Sequence, residues 1–151
     1  MPTPRPASRR ATVVAAVIER NGAVLICQRS IRDSHPLRWE FPGGKVERGE
    51  SLHGALRREL KEELSIRAKI GPEIARGVHQ YRDRSPLELV FFRVTEFQGE
   101  PKNRTFEQIR WESPVRLPEY DFLEADSSLV LRLATGPSAG TPRPAPGSAG
   151  R

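Results

Sequence analysis

Two apolar runs, TVVAAVIE (12–19) and AVLICQR (23–29), stand on either side of a single Asn21-Gly22 pair. Asn and Gly both tolerate the positive φ angles that a two-residue hairpin turn requires, so the spacing predicts two antiparallel strands joined by a tight turn. A hairpin alone is marginal in water, and one this apolar has to be covered by further strands or a helix. That requirement constrains everything downstream.

The covering elements are legible. SIRDSHPLR (30–38) reads as a polar loop, and WEFPGG (39–44) as a short strand ended by Pro42 and two glycines. Residues 51–64 read as a helix: Ser51 is an N-cap candidate, and Leu52, Leu56 and Leu60 recur every four residues with Ala55 and Leu64 nearby. Residues 68–82 and 87–97 read as strands separated by Asp83-Arg84-Ser85-Pro86, 108–113 as another short strand and 123–135 as a closing helix. There is no internal repeat. The order predicts an α/β protein with a mixed sheet between helices, not a regular βαβ series.

Charge limits the partners. The chain has 151 residues and a formal charge of +6. Three arginines in the first ten residues and two in the last sixteen, with no acid in either stretch, leave 20 basic and 19 acidic residues in the body. A nucleic-acid binder concentrates basic charge in its folded part, so no stable nucleic-acid binding is expected. Residues 1–11 and 136–151 are rich in Pro, Ala, Ser, Gly and Arg, and are expected to be disordered tails around one domain, 12–135. No apolar run approaches a membrane span and no signal-peptide core follows the N-terminal arginines, so the expectation is a cytoplasmic protein without a membrane partner, monomeric or a homodimer. Cys27 is the single cysteine, which excludes an internal disulfide and suits a reducing compartment; in AVLIC it reads as a small buried hydrophobe.

The chemistry concentrates just after the double glycine. Glu59, Glu62 and Glu63 share one side of the 51–64 helix, because positions i, i+3 and i+4 do. At about 100° per residue, Glu63 points between Leu52 and Leu56, into the apolar face. A run such as RRELKEE also suits an ordinary exposed helix laced with ion pairs. Glu63's intrusion into the leucine stripe, and the nearness of Glu47, Glu50 and the Gly43-Gly44 turn, point beyond that. Oxygen ligands of this kind suit Mg²⁺, with Mn²⁺ as a substitute, and such a site completes its shell with water and substrate phosphates. His35, His53 and His79 show no zinc spacing.

Gly44, Glu50, Arg58, Glu59, Leu60, Glu62, Glu63 and Ile66 together resemble the Nudix box, G-x5-E-x7-R-E-U-x-E-E-x-G-U, with U a bulky aliphatic. Ser65 stands where the box has glycine, at the end of a helix where a left-handed residue is favoured. The likeness extends over nearly all of 12–135, and WEFPGGKVE resembles the MutT-like branch. It implies the Nudix fold and Mg²⁺-dependent hydrolysis of nucleoside triphosphates to a monophosphate and pyrophosphate. The principal expectation is an enzyme that sanitises oxidised purine nucleotides, of the 8-oxo-dGTP diphosphatase type. A CTP/dCTP-type pyrophosphohydrolase is the alternative, and a non-catalytic nucleotide-sensing Nudix module the alternative of another class, disfavoured by the full carboxylate set.

The same likeness implies the roles. Glu59, Glu62, Glu63 and the Gly43 carbonyl would hold metal, Glu50 would support them and Arg58 orient them. Arg29 would contact phosphate, and Phe41 would offer a stacking surface. The branch often carries a further carboxylate where this chain has Thr105, and Glu107 is the nearest acid, so the general base stays open among Glu59, Glu50 and Glu107. Asp126 falls where the oxidised-guanine enzymes carry asparagine. An ionised aspartate only accepts hydrogen bonds, which weighs against a guanine carbonyl unless the group is protonated. The alternative for Asp126 is an exposed place in the first turn of the last helix.

Overall fold

The protein is described from a computed structural model, over residues 10–82 and 84–136. The hairpin is present: β1 (Ala11–Arg20) and β2 (Ala23–Gln28) turn through Asn21 and Gly22, both at positive φ. Only the last two rungs pair, Glu19 with Val24 and Arg20 with Ala23. Beyond them the strands splay. β2 leaves to pair with β3 (Trp39–Glu40) and β9 (Gln108–Glu112), and β4 (Gly43–Lys45) takes the vacated edge of β1 at Val13–Ala15. The other edge of β1 runs parallel to β7 (Leu87–Val94) from Ala11↔Leu87 to Ile18↔Val94, and β6 (Glu73–His79) flanks β7. The result is a mixed seven-stranded sheet. A small second sheet pairs β5 (Arg67–Lys69) with β8 (Glu96–Gln98).

Because side chains alternate along a strand, a central strand buried on both faces reads as one apolar run. Val14, Ala16 and Ile18 of β1 face α1 (Leu52–Leu64), together with Leu25, Val90, Phe92 and Val94. Ala15 and Val17 face α2 (Ser127–Ala134), together with Val24, Ile26, Leu89 and Phe91. Leu56, Leu60 and Leu64 of α1 are fully buried, each contributing about 1.5–3 kcal/mol. Ser51 caps α1, its hydroxyl accepting from Gly54 N–H at 2.9 Å.

Several expectations change in detail. The strand expected over 68–82 is broken at Ile70-Gly71-Pro72, since Pro72 has no N–H for a ladder; β5 and β6 are separate, and β6 stops at His79. The 87–97 strand divides at Thr95, where the β1–β7 ladder has ended and β8 turns to β5. The closing helix begins only at Ser127, preceded by a 3-10 turn over Glu124–Asp126, and Pro114–Glu119 form a further 3-10 turn that the strand-and-helix periodicities did not reveal. Ala11, assigned to the N-terminal tail, is the first rung of the β1–β7 ladder. Gly136, assigned to the C-terminal tail, donates to Leu133 O at 3.2 Å and ends α2. The rest of both tails, 1–9 and 137–151, lies outside the described residues. Among those described, no helix is long and apolar enough to cross a membrane.

Ser65 follows α1 at φ 58° and ψ 34°, the left-handed conformation that glycine adopts without cost. Replacement by glycine is therefore expected to stabilise the fold by about 1 kcal/mol, read as a raised urea midpoint at unchanged slope.

Candidate active site

The double glycine is a requirement of close approach. A Cβ on Gly43 would stand 2.0 Å from the Val14 carbonyl oxygen of β1, and one on Gly44 would stand 2.4 Å from the carboxyl carbon of Glu59. Gly43 lets β4 press on the central strand, and Gly44 lets a helix carboxylate lie against that strand's backbone.

Arg58 organises the rest. Its Nε and Nη2 grip Glu50 at 2.6 and 2.8 Å, a two-pronged pair. Nη1 reaches Glu59 at 3.0 Å and Glu62 at 3.4 Å, and Nη2 also donates to the Lys45 carbonyl at 3.1 Å. Glu50 additionally accepts from the Glu47 N–H at 2.8 Å. The Arg58 and Glu47 hydrogen bonds hold the Glu50 carboxyl down at about 2. A carboxylate so acidic and so fully bonded is a support and a poor proton acceptor near neutral pH.

The three helix glutamates differ in setting. The side chain of Glu62 is 60% exposed and that of Glu59 15%. Glu63 is turned inward as the spacing requires, and accepts from the Gly43 N–H at 3.2 Å. Burial first, then the neighbouring Glu59 carboxylate, holds the Glu63 carboxyl well above the usual range. Among the described residues no three such groups already converge on a single point, because Glu59 and Glu62 are drawn to Arg58 and Glu63 to Gly43. The donor set is nonetheless all oxygen. Crowded carboxylates around a cradle that a Cβ would fill are relieved by a divalent cation, so the residues fit Mg²⁺ or Mn²⁺.

From Glu63 a cavity of about 410 Å³ extends past Gly43 and Gly44 to Phe41, Tyr81 and Asp126. A more open depression of about 920 Å³ lies at the β1–β2 turn, lined by residues such as Arg20, Thr95 and Phe97, away from Glu50, Glu59, Glu62 and Glu63. Of the helix glutamates, Glu63 is the one that lines the 410 Å³ cavity, beside Gly43 and Gly44.

Arg29 lines this cavity, but its guanidinium is engaged: Nε and Nη2 bond the carbonyl and hydroxyl of Ser34 at 2.8 and 3.1 Å, and Nη1 the Glu40 carboxylate at 3.0 Å. Phe41 forms part of the wall but is only 3% exposed, its ring packed on Phe122 and Phe91 at 5.3 and 6.2 Å. It is chiefly a core residue. Asp126 is buried, 4% exposed, not in an exposed helical turn. Residues 121–123 bridge β3, with Trp39 N–H donating to Asp121 O and Leu123 N–H to Trp39 O at 2.9 Å each, and this draws the 3-10 turn inward. Burial, then the charge of Glu40, pushes the Asp126 carboxyl up to about 8. Near neutral pH this favours the protonated form, which both donates and accepts. The objection that an aspartate here only accepts does not hold in this environment.

Glu107 is exposed and is not part of the cavity wall; Thr105 and Phe106 of its loop are. Sequence reasoning passed over Glu40 and Tyr81. Glu40 had a signal: as the polar residue between Trp39 and Phe41 in a strand, it faces opposite to both. Tyr81 had none, since it reaches the cavity only because the β6–β7 connection folds back, its ring 4.4 Å from that of His79 and 4.9 Å from that of His35.

The family model described as the NUDIX domain matches residues 8–133. The chain is 38% identical over 118 residues to a CTP pyrophosphohydrolase of Escherichia coli (strain K12), covering 78% of this chain and 87% of that protein. It is 34% identical over 129 residues to a putative 8-oxo-dGTP diphosphatase 2 of Mycobacterium tuberculosis, covering 81% and 86%. The solution structure of the E. coli ORF135 protein superposes with a TM-score of 0.77 at 35% identity, covering 90% and 99%.

The Glu50–Arg58 pair has a pH signature. Unfolded, Glu50 titrates near 4.3, about the ordinary value; folded, it titrates at about 2. The stabilisation is therefore fully present above about pH 4.5 and is lost as the pH falls towards 2. Glu50→Gln is expected to flatten that part of the acid limb in thermal melts across pH; an unaltered limb would show that the pair does not carry it.

Proposed function

Because the chain belongs to the NUDIX domain family and is a hydrolase of phosphorus anhydrides, we propose that it cuts nucleoside triphosphates to the monophosphate and pyrophosphate with Mg²⁺. The observation that carries this is the group of helix carboxylates Glu59, Glu62 and Glu63, the first two held by Arg58 and the third lining a cavity that also contains the buried Asp126. Glu59, Glu62, Glu63 and the Gly43 carbonyl are the proposed metal ligands. A divalent ion held there would supply the Lewis acidity for attack by water on phosphorus.

The chain's own residues do the rest. Arg58 gathers Glu59 and Glu62 on one nitrogen and aims them. Glu59 is the proposed general base: Glu50 is too acidic, Glu107 is exposed, and Glu59 is tucked against Gly44, which lines the cavity. Arg29 pairs with Glu40 and ties down the Ser30–Arg38 loop through three of its five N–H groups, which leaves two for a phosphate in the cavity it lines.

At the base end, a protonated Asp126 offers an adjacent donor and acceptor. That pair matches the O6 and N1–H of an oxidised guanine, as an asparagine would, and supports sanitation of 8-oxo-dGTP as the principal reading. The second reading, CTP or dCTP, rests on the 38% identity to the CTP pyrophosphohydrolase and on the match of the same acid to cytosine N3 and its amino group. Ranking 8-oxo-dGTP, dGTP, CTP and dCTP by kcat/KM decides between them.

Two outcomes test the assignment. Glu63→Gln is expected to abolish Mg²⁺-dependent pyrophosphate release while the circular dichroism spectrum stays native; retained turnover in a folded variant removes Glu63 from the metal site. Asp126 donates only while protonated, so kcat/KM for the preferred nucleotide is expected to fall as the pH rises through about 8, and Asp126→Asn to abolish that particular fall. A wild-type profile level through that range rules out the protonated-acid reading.

A further inference from the structure

An α-helix leaves its last carbonyls without intrahelical donors, and at the end of α1 two of them belong to residues at the heart of the site. The Glu63 carbonyl accepts from the Arg104 N–H at 3.0 Å, and the Leu64 carbonyl from the Lys102 N–H at 2.8 Å. Both donors come from one loop, residues 99–107, between β8 and β9. The same loop brings Thr105 and Phe106 to the cavity wall.

That loop has no ladder of its own to shape it. Asn103 does so, from between the two donors. Its Oδ1 accepts from the N–H groups of Thr105 at 3.2 Å and Phe106 at 2.8 Å, and its Nδ2 donates to the Phe106 carbonyl at 2.9 Å. A side-chain amide that closes its own backbone in this way fixes a turn that the backbone alone does not hold. The helix end it serves is weak: Ser65 already occupies a left-handed conformation without the freedom of glycine.

We propose that Asn103 is a positioning residue for the metal-holding end of α1: by knotting the 102–106 loop it fixes the two backbone N–H groups that cap Glu63 and Leu64, and so holds the Glu62 and Glu63 carboxylates in register with Gly43 and Glu59. It touches neither metal nor nucleotide in this role. The inference rests on the reading of Glu62 and Glu63 as metal ligands, and adds that their aim is set from outside the box, by a loop that in this chain brings Thr105 and Phe106, not Glu107, to the wall. The amide, and not merely a polar residue, is needed for all three bonds. Aspartate keeps the two acceptor bonds that shape the turn and loses the third.

The test is Mn²⁺ binding to the full-length protein without nucleotide, by calorimetry, for wild type, Asn103→Ala and Asn103→Asp, with amide hydrogen exchange on the same samples. Support of this kind around metal ligands typically costs tenfold or more when lost, so Asn103→Ala is expected to weaken Mn²⁺ about tenfold. It should also lose exchange protection over Ser65 and Arg104 while the β1–β7 ladder stays protected. Asn103→Asp should stay within about threefold of wild type, because the turn survives. If Asn103→Ala does not fold, Asn103→Asp and Asn103→Ser take its place, and aspartate must bind Mn²⁺ more tightly than serine. Unchanged Mn²⁺ affinity in folded Asn103→Ala, or aspartate no better than the variant it is compared with, overturns the inference alone. A wild-type protein that takes up no Mn²⁺ overturns both the inference and the metal assignment beneath it.

Discussion

The guanidinium of Arg58 draws in carboxylates from two parts of the chain, Glu50 from the loop ahead of α1 and Glu59 and Glu62 from α1 itself, while bonding the Lys45 carbonyl at the end of β4. Without that positive centre, several like charges would crowd one corner of the molecule, half-buried and mutually repulsive. With it, loop, helix and strand are tied at a single point, and the Gly43-Gly44 approach becomes possible because Glu59 is held where a Cβ on Gly44 would have stood. Arginine suits this position because its planar fork satisfies Glu50 through two bonds and still has a nitrogen left for Glu59; a lysine point charge does not.

The charge that Arg58 leaves uncompensated is informative. Glu63 and Asp126 line one cavity, and burial is the first cause of the raised carboxyl at each. Glu40, anchored by Arg29, contributes to both shifts. Their environments differ in what can relieve them. At Glu63 other carboxylates stand close, which favours a cation. At Asp126 the surroundings are the 3-10 turn and the aromatic core around Phe41 and Phe122, which favour a proton. One cavity thus has a metal-seeking end and a hydrogen-bonding end, an arrangement suited to a molecule carrying a polyanion and a base.

Much of this was legible in the chain, and the exceptions have physical causes. The hairpin, α1 with its N-cap, and the inward aim of Glu63 follow from local periodicity and turn chemistry, which do not depend on what packs where. The break at Pro72 was also readable, since proline cannot donate to a ladder, but an apolar run obscured it. Phe41, expected as a stacking surface, lines the cavity and also packs into the core, because Phe91 and Phe122 arrive from distant segments to cover it. Asp126 carried no sign of its proton, because burial there depends on residues 121–123 crossing to Trp39. The work of Asn103 was hidden for the same reason: a turn-forming residue is visible in sequence, but not the helix end that the turn serves.

One edge of β1 is met by β2 and β4, close in sequence, whereas the whole of its other edge is met by β7, which starts at Leu87 and ends at Val94. During synthesis the strand at the centre of the sheet therefore leaves the ribosome with one edge unclaimed, and waits while several dozen further residues are translated. Parallel pairing across so long a span is slow to form, and an open apolar edge invites neighbouring chains in the meantime. The glutamate-bearing helix emerges complete during that wait, so the nascent chain carries Glu50, Glu59, Glu62 and Glu63 before it has a floor to set them on.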